Sequence, residues 1–476
     1  MKNELRVREA PAIYRVLLGL PNVVPLAQVA EFNPRRHSVP PADEDLVSFV
    51  PMRAVTEESG HVDGEAVRPW SEAKKGYTAF QNGDVIFAKI TPCMENGKFA
   101  LASALHNGRA AGSTEFHVFR SKPVLLPKYL LHFMFTPYVR SGAKMNMKGA
   151  AGQLRVPIQF FESLRIPLPS LHEQRRIVDY LDEQLSRLDA SVAALHRVQA
   201  NLRRYRASVL KSACEGRLVP TEAELARQER RDFETGGQLL RRILIERRLQ
   251  HASSRKVREP TCLEATPPKV PSGWEWCSLD QIAVEMRNGF GGKPEGDSGT
   301  RILRISAVRA LAVDMNDVRY LQGQSDLYAS DLLCANDLLF TRYNGSREFV
   351  GVCAVVPSLT EPTAHPDKLI RVRCIASLAL PSFIALMASC GVSRAHLESR
   401  MRTTAGQSGI SGSDLKSLPI PLPPLAEQHR IVAEADRRLS LIRVAEAQVV
   451  ANLARAHRLR QSILQAAFTM PAQAGQ

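Results

Sequence analysis

None of the short signatures that announce catalysis occurs in this sequence. There is no GxxxxGK[ST] loop to cradle a phosphate. Residues 289–294 (GFGGKP) approach one but put Pro294 where the metal-binding hydroxyl is needed. HExxH, GxSxG and a GxGxxG opening a helix after a strand are likewise missing. Asp367 has no second acidic residue placed to share a magnesium ion, and the 12 histidines are scattered singly. No catalytic and no metal-ligating residue is therefore assigned, and a binding protein is the simplest expectation.

Paired cysteine spacings are also missing. The eight cysteines (Cys93, Cys214, Cys262, Cys277, Cys334, Cys353, Cys374 and Cys390) form no CxxC, and no signal-like segment precedes them. They read as reduced, mostly buried thiols of a cytoplasmic protein, with no disulfide or zinc role. Long charge-free runs are confined to residues 374–393. That span contains Pro381 and several serines, and its counterpart earlier in the chain carries Lys128 and His132, so both are expected to be buried helices of a protein with no membrane span.

What the chain has in excess is positive charge and self-similarity. Its 476 residues suit two to four domains. With 63 Lys plus Arg against 48 Asp plus Glu, the net charge is +15, a field that favours an anionic partner, nucleic acid or a membrane surface. A hydrophobic content of 44% with 23% charged residues is ordinary for a folded chain. The segment IPLPSLHEQRRIV beginning at Ile166 returns as IPLPPLAEQHRIV beginning at Ile420, a shift of 254 positions. The register holds upstream to Pro127 and Pro381 and downstream to Leu210 and Leu464. Farther upstream the shift is 253, so that Asp84 aligns with Asp337. The chain is a tandem duplication, and this outranks every local signal. The C-terminal part of each copy is almost unchanged, whereas the N-terminal parts share only a frame of apolar positions. One fold presenting two different recognition surfaces has that signature.

From Leu171 and again from Leu425 the pattern is helical. In the first copy Leu181, Leu185, Leu188, Val192, Leu195, Leu202 and Val209 draw one stripe; in the second Leu439, Ile442, Val449, Leu453 and Ile463 repeat it. Neither stretch contains proline or glycine, and the Pro-Leu-Pro before each bars an earlier start. Leu171 to Cys214 makes a rod of ~65 Å at about 1.5 Å per residue. Polar interruptions at Gln199, Arg206, Glu446 and Arg460 mean that each stripe needs a partner, and the other copy is the obvious one. We expect an antiparallel pair about a pseudo-twofold axis. Two separate amphipathic helices, each lying on its own domain, are the alternative.

Outside the rods, short apolar runs such as 85–87, 116–119, 338–340 and 350–356 read as strands broken by Gly, Asn and Asp turns. The fold class is mixed α/β, two repeated globular units separated by two long coiled-coil helices. The expected boundaries are a first unit over 1–164, a first rod over 165–217, a helical connector over 218–270, a second unit over 271–418 and a second rod over 419–476. The connector, helical at 222–231 and 238–251, has no full counterpart in the other copy.

Each globular unit places cations and amides on its turns. In the first, Lys89, Asn96 and Lys98 lie on the turn of residues 89–98, with Lys74, Lys75 and Tyr77 nearby in sequence. In the second, Arg342, Tyr343, Asn344 and Arg347 occupy the equivalent place, with Arg287, Lys293 and Arg304 besides. Arg and Lys pair with guanine edges in the major groove, and Asn with adenine edges. A second basic group precedes each rod: Lys144, Lys148 and Arg155, then Arg394, Arg400 and Arg402. Lys148 and Arg402 are equivalent, as are Arg140 and Arg394. Cations kept in both copies suit phosphate contacts, and tips that differ suit base reading.

These segments resemble the DNA specificity subunit of type I restriction-modification systems over nearly the whole chain. The residues carrying the resemblance are GDVIFAKITPCMENGK at 83–98, NDLLFTRYNGS at 336–346, QSGISG at 407–412 and both PLPxLxEQ segments. The resemblance implies two target-recognition domains, with long helices acting as a ruler, that read a bipartite, asymmetric sequence in double-stranded DNA. It implies two modification subunits that methylate adenine with S-adenosylmethionine, and restriction/translocase subunits dependent on ATP and magnesium. The specificity subunit itself binds none of these cofactors and is not the catalyst. Two departures stand out: QLRVP at 153–157 against QSGIS at 407–411, where the turn is expected to differ, and a second rod that lacks the Gly216, Arg217 and Leu218 closing the first, with its end frayed or capped by a partner. A coiled-coil assembly protein without DNA specificity and a self-contained DNA-modifying enzyme are the alternatives.

Overall fold

The computed structural model describes residues 22–34, 37–63, 66–150, 152–250, 258–264, 267–404 and 406–469. The chain divides into two compact units, Met1–Arg197 with Val449–Gln476, and Val198–Gln448. Both rods are single uninterrupted helices, Leu171–Cys214 of 44 residues and Leu425–Thr469 of 45. Each unit therefore contains a stretch of both rods. Both are rich in Leu, Ala, Arg, Glu and Gln, good helix formers, and ion pairs such as Arg187 on Glu183 and Arg438 on Glu434 add i,i+4 support.

Within the first unit, Val178, Leu181 and Leu185 of the first rod bury in one cluster with Leu464, Ala467 and Phe468 of the second. Arg460 donates to Asp189 at 2.6 Å. Partners fall in index on one rod as they rise on the other, so the pairing is antiparallel. In the second unit Arg206 meets Glu446, and Val209 and Ala213 join the core that holds Ile431, Ala435, Leu439 and Ile442. Of the polar residues interrupting the stripes, Arg206, Glu446 and Arg460 thus meet charged groups from the opposite rod. Val449 is buried, while Leu188, Val192, Leu195, Leu202, Leu453 and Ile463 are half-buried. The end of the second rod was expected to fray or to await a partner. Instead the Phe468 ring packs 4.9 Å from Tyr129 and 5.4 Å from Phe133 inside the first unit.

The first unit carries two four-stranded sheets. One has the order Ala30–Phe32, Phe116–Ser121, Asp84–Ala88, Phe99–Leu101 and is antiparallel throughout; the other has the order Ala66–Pro69, Leu46–Val50, Arg109–Gly112, Thr78–Gln81. The second unit repeats the antiparallel sheet as Ala283–Asn288, Leu369–Cys374, Leu338–Thr341, Cys353–Val355. Its other sheet keeps three strands, Val318–Leu321, Thr300–Leu303 and Thr363–Ala364. The expected strand over 350–356 shrinks to Cys353–Val355 because Arg347–Phe349 forms a 3-10 turn just before it.

Duplicated motifs do the same structural work twice. Asp84 and Asp337 are buried, and each accepts a forked pair of hydrogen bonds, from Arg120 and Arg373 respectively. The glutamine of each PLPxLxEQ segment is fully buried. Gln174 accepts from the Leu126 N–H at 2.8 Å and donates to Val124 and Pro169 carbonyls; Gln428 accepts from the Leu380 N–H at 2.9 Å and donates to Pro423. Each glutamine satisfies a backbone group at the start of a proline-led helix, Pro127–Met134 or Pro381–Ala388, and so locks the base of a rod to its unit. The residues running into each Pro-Leu-Pro pair as strands, Arg165–Pro167 with Val23–Pro25 and Pro419–Leu422 with Glu275–Ser278.

The connector is helical at Glu222–Glu229 and Gly236–Gln250. It is fastened to the second rod by Glu427, whose buried carboxylate accepts from the Glu222 N–H and the Trp274 indole, each at 2.8 Å. Burial holds the Glu427 carboxyl above its ordinary range.

One expectation is overturned. Cys214 and Cys390 form a disulfide in the second unit, although every cysteine was read as reduced. The two are 176 residues apart, and only the docking of the first rod's end against the turn before Gly391–Arg400 brings them together. Sequence spacing carries no trace of such a pairing. Among the other six, Cys277 and Cys353 are buried and Cys262 and Cys334 exposed. No helix among the described residues is long and apolar enough to cross a membrane.

Candidate nucleic-acid interface

In both units the strand that ends in the aligned cations leads into a small antiparallel patch. In the second unit Tyr343–Asn344 pairs with Gln407–Gly409, which pairs in turn with Arg402–Thr404. The register sets Tyr343 and Arg402 on either side of Gly409, and Asn344 and Thr403 on either side of Ser408. In the first unit the same three places are single bridges, Ile90 to Arg155 and Arg155 to Lys148. Arg155 and Gly409 are related by the shift of 254, and so are Lys148 and Arg402. QLRVP therefore departs from QSGIS as a shorter, less regular ladder, not as a different site.

The cations of these patches differ in what already holds them. Arg155 grips Glu115 with Nε and a terminal nitrogen, at 2.9 to 3.2 Å, and that guanidinium keeps the Glu115 carboxyl below its usual range. Glu115 also receives the Lys89 N–H on its backbone carbonyl. At the matching place in the second unit the Arg342 N–H binds the carbonyl of Lys368, so a lysine replaces the glutamate. Gly409 removes the arginine as well. The Arg342 guanidinium instead lies 4.8 Å from the centre of the Tyr343 ring. In the first patch Arg155 is thus neutralised by Glu115, while the second is cationic around an aromatic ring.

Supporting groups are ordered behind the first patch. His117 lies on the central strand, buried, with Nε2 at 2.8 Å from the Val156 carbonyl and Nδ1 at 3.3 Å from the Asn33 amide. Because Asn33 Oδ1 accepts from the Val118 N–H, its amide nitrogen faces the ring. Nδ1 must then accept and Nε2 must donate, which is the neutral tautomer. Burial lowers the His117 pKa from its ordinary value.

A family model for the type I restriction modification DNA specificity domain matches residues 22–196. The EcoKI specificity subunit of Escherichia coli K12 is 33% identical over 353 residues, 74% of this chain and 67% of that protein. The chain belongs to the type I restriction enzyme specificity subunits. The EcoEI specificity subunit of Escherichia coli is 30% identical over 464 residues, 86% of this chain and 76% of that protein. A solved structure described as the structural basis of complex assembly and conformational transition of the type I R-M system matches in fold, with TM-score 0.60 at 20% identity. The match covers 94% of this chain and 98% of that one. This specificity subunit is the non-catalytic, DNA-reading member of its system, and it works with DNA and partner subunits.

Of the cations singled out from the sequence, several of this specificity subunit are committed within their own unit. Lys74 binds Asp43 at 2.7 Å, Lys144 binds Glu95 at 2.8 Å and Asn96 donates to Glu57. Lys98 reaches the Met52 carbonyl, Arg287 the Ser330 hydroxyl, Arg304 lies 3.6 Å from Asp317, and Arg347 donates to the Glu398 carbonyl. Arg394 binds Glu398 and the Val350 carbonyl, and Arg400 binds Glu264. Arg140, equivalent to Arg394, bridges Glu58 and the Glu95 carbonyl. The side chains of Lys75, Lys89, Lys148, Lys293 and Arg402 have no ion-pair or hydrogen-bond partner among the described residues. Asn344 keeps its amide N–H groups free, its oxygen accepting from the Ser346 N–H. Lys368 went unnoticed in the sequence as a candidate, although the shift of 253 sets it against Glu115, and a charge reversal between copies is a readable signal.

Proposed function

We propose that the specificity subunit reads one half of a bipartite, asymmetric duplex with each unit, and that the small three-segment patches carry the reading. Supporting this is one observation: the same patch occurs twice, as Ile90, Arg155 and Lys148 and as Tyr343, Gly409 and Arg402, with its backbone pairing kept and its chemistry changed. Lys148 and Arg402, free and exposed in equivalent places, suit phosphate contact; the residues beside them suit base edges. Lys75, Lys89, Lys293, Arg342 and Asn344 extend these surfaces. Lys74, Lys98, Lys144, Arg155, Arg287, Arg304, Arg347, Arg394 and Arg400, with Asn96, contribute by shaping and charging the surface on which the free groups stand.

The partners in this reading are two methyltransferase subunits, which use S-adenosylmethionine on adenine, and restriction/translocase subunits, which use ATP and magnesium. The specificity subunit holds none of these cofactors, and the system works in the cytoplasm. The paired rods set the unread gap between half-sites. Mapping methylated adenines in cells carrying the whole system tests the reading. Exchanging residues 89–98 for the matching segment of a relative should change one half of the methylated sequence and leave the other half and the gap intact. A change in both halves would refute it.

A further inference from the structure

Tyr343 is placed in a way no other candidate is. A side chain at position 409 would meet the Tyr343 Cδ1 at 2.2 Å and Cε1 at 2.4 Å, so the ring occupies the space above the Gly409 backbone that any Cβ would need. Glycine is required there for close approach, not for its dihedral freedom. The ring is partly exposed and has no hydrogen-bond partner among the described residues, while the Arg342 guanidinium lies beside it. Lys368, whose carbonyl accepts from the Arg342 N–H, and Arg402, across Gly409 in the ladder, add cations to the rim of this strand patch, neither paired with a carboxylate among the described residues. The first unit holds no ring at this place: Ile90 stands where Tyr343 does, and Arg155, where Gly409 is, is spent on Glu115.

An apolar ring inside a cationic rim has limited options on duplex DNA. The rim binds phosphates, whichever base lies between them. The ring offers an apolar face, and the apolar group that base pairs project into the major groove is the thymine 5-methyl. Resting on the reading above, we propose that Tyr343, seated on Gly409, is a specificity residue of the second unit and recognises a thymine by its methyl group. The free Asn344 amide and the Arg342 guanidinium then fall to neighbouring bases.

The test uses the subunit assembled with its methyltransferase partners. In the cognate duplex, each thymine of the second half-site on either strand is replaced in turn by deoxyuridine, which removes only the methyl. One position should weaken binding about 4-fold, equivalent to the ~0.8 kcal/mol of a buried methylene-sized group. That penalty should vanish with Tyr343→Ala and with Gly409→Ala, which evicts the ring, and persist with Tyr343→Phe. All three variants should keep first-half discrimination, which reports that they are folded. A penalty unchanged in Tyr343→Ala, or no second-half thymine with any penalty, overturns the proposal. A wild-type complex that does not distinguish a scrambled second half-site overturns the parent reading instead.

Discussion

Arg206 on the first rod donates to Glu446 on the second at 2.6 Å, and both are residues that break the apolar stripe of their helix. The pair therefore records register: sliding either rod by one turn would separate the charges and bring each against an apolar neighbour. With side chains 41% and 30% exposed, solvent screens much of the attraction. A double-mutant cycle with Arg206→Ala and Glu446→Ala should give a coupling below ~1 kcal/mol by denaturant unfolding. The charge exchange Arg206→Glu with Glu446→Arg should restore most of it, whereas either half of the exchange alone should cost more than its alanine variant. Equal costs for all singles, with no rescue, would show that the contact does not define the pairing.

Salt dependence separates free cations from committed ones. A cation that neutralises a phosphate releases a counterion, lowering the slope of log affinity against log salt by ~0.9 per contact when it is lost. Lys148→Ala and Arg402→Ala should each reduce the slope by about one and weaken cognate and scrambled duplexes alike. Lys74→Ala should leave the slope unchanged because Asp43 already holds that ammonium at 2.7 Å. The measurement is binding of the assembled complex over a salt series. A slope that falls equally for Lys74 and Lys148 would mean that ion pairs within the unit open on binding.

The rods were legible because repetition and period agree. The absence of proline and glycine from 171 to 214, together with the stripe, placed a 44-residue helix whose bounds the structure reproduces. The buried Asp84 and Asp337 were visible as aligned positions, but their arginine partners were not, since each lies 36 residues away on a neighbouring strand. Surface chemistry was legible only as residue types. Whether Lys74 or Lys75 is free depends on Asp43, brought near by a turn whose geometry leaves no sequence pattern, and the Arg155 grip on Glu115 spans 40 residues. Tyr343 was readable as a candidate, but its seat on Gly409 required the register of three strands. The disulfide between Cys214 and Cys390 lay beyond any spacing rule.

Acid sensitivity follows from the buried imidazoles. His117, His132 and His365 all have pKa values lowered from 6.5, with burial the largest cause in each. A lowered folded-state pKa means that the unfolded chain binds more protons between the two values, so stability rises with pH across that window. Stability is thus fully present above about 6.5, is lost as pH falls below it, and levels off below the folded-state values. For His117 the geometry fixes the outcome, because protonating Nδ1 turns it as a donor toward the donor amide of Asn33. Melting temperature between pH 8 and pH 5 should be flat above 6.5 and fall below it, and His117→Gln should flatten that fall in part. A melting temperature that rises on acidification would contradict the assignment.

Phe468 tests how firmly the end of the second rod is docked. It is 3% exposed and contacts Tyr129 and Phe133. Truncation to alanine should cost ~3 to 5 kcal/mol, as for other buried aromatics. Ile463, half-buried one position before the core leucine Leu464, should cost about 1 kcal/mol on conversion to valine. Chemical unfolding of the full chain measures both. Equal, small effects would mean that the rod end is not held in the first unit.

The strongest demand on the proposed function comes from lengthening the rods. An added turn extends a helix by about 5.4 Å, while duplex DNA advances about 3.4 Å per base pair. If paired rods set the unread gap, inserting four residues in each, near Val198 and near Gln448 where the chain passes between its compact units, should lengthen the gap by one or two base pairs and leave both half-sequences as they were. Insertion in one rod alone shifts the antiparallel register, parting Arg206 from Glu446 or Arg460 from Asp189, and should lower stability and weaken methylation without defining a new gap. Sequencing methylated adenines from cells carrying each variant distinguishes these outcomes. An unchanged gap in the doubly lengthened protein would remove the ruler role from the rods, and leave to the DNA-reading patches the whole task of spacing.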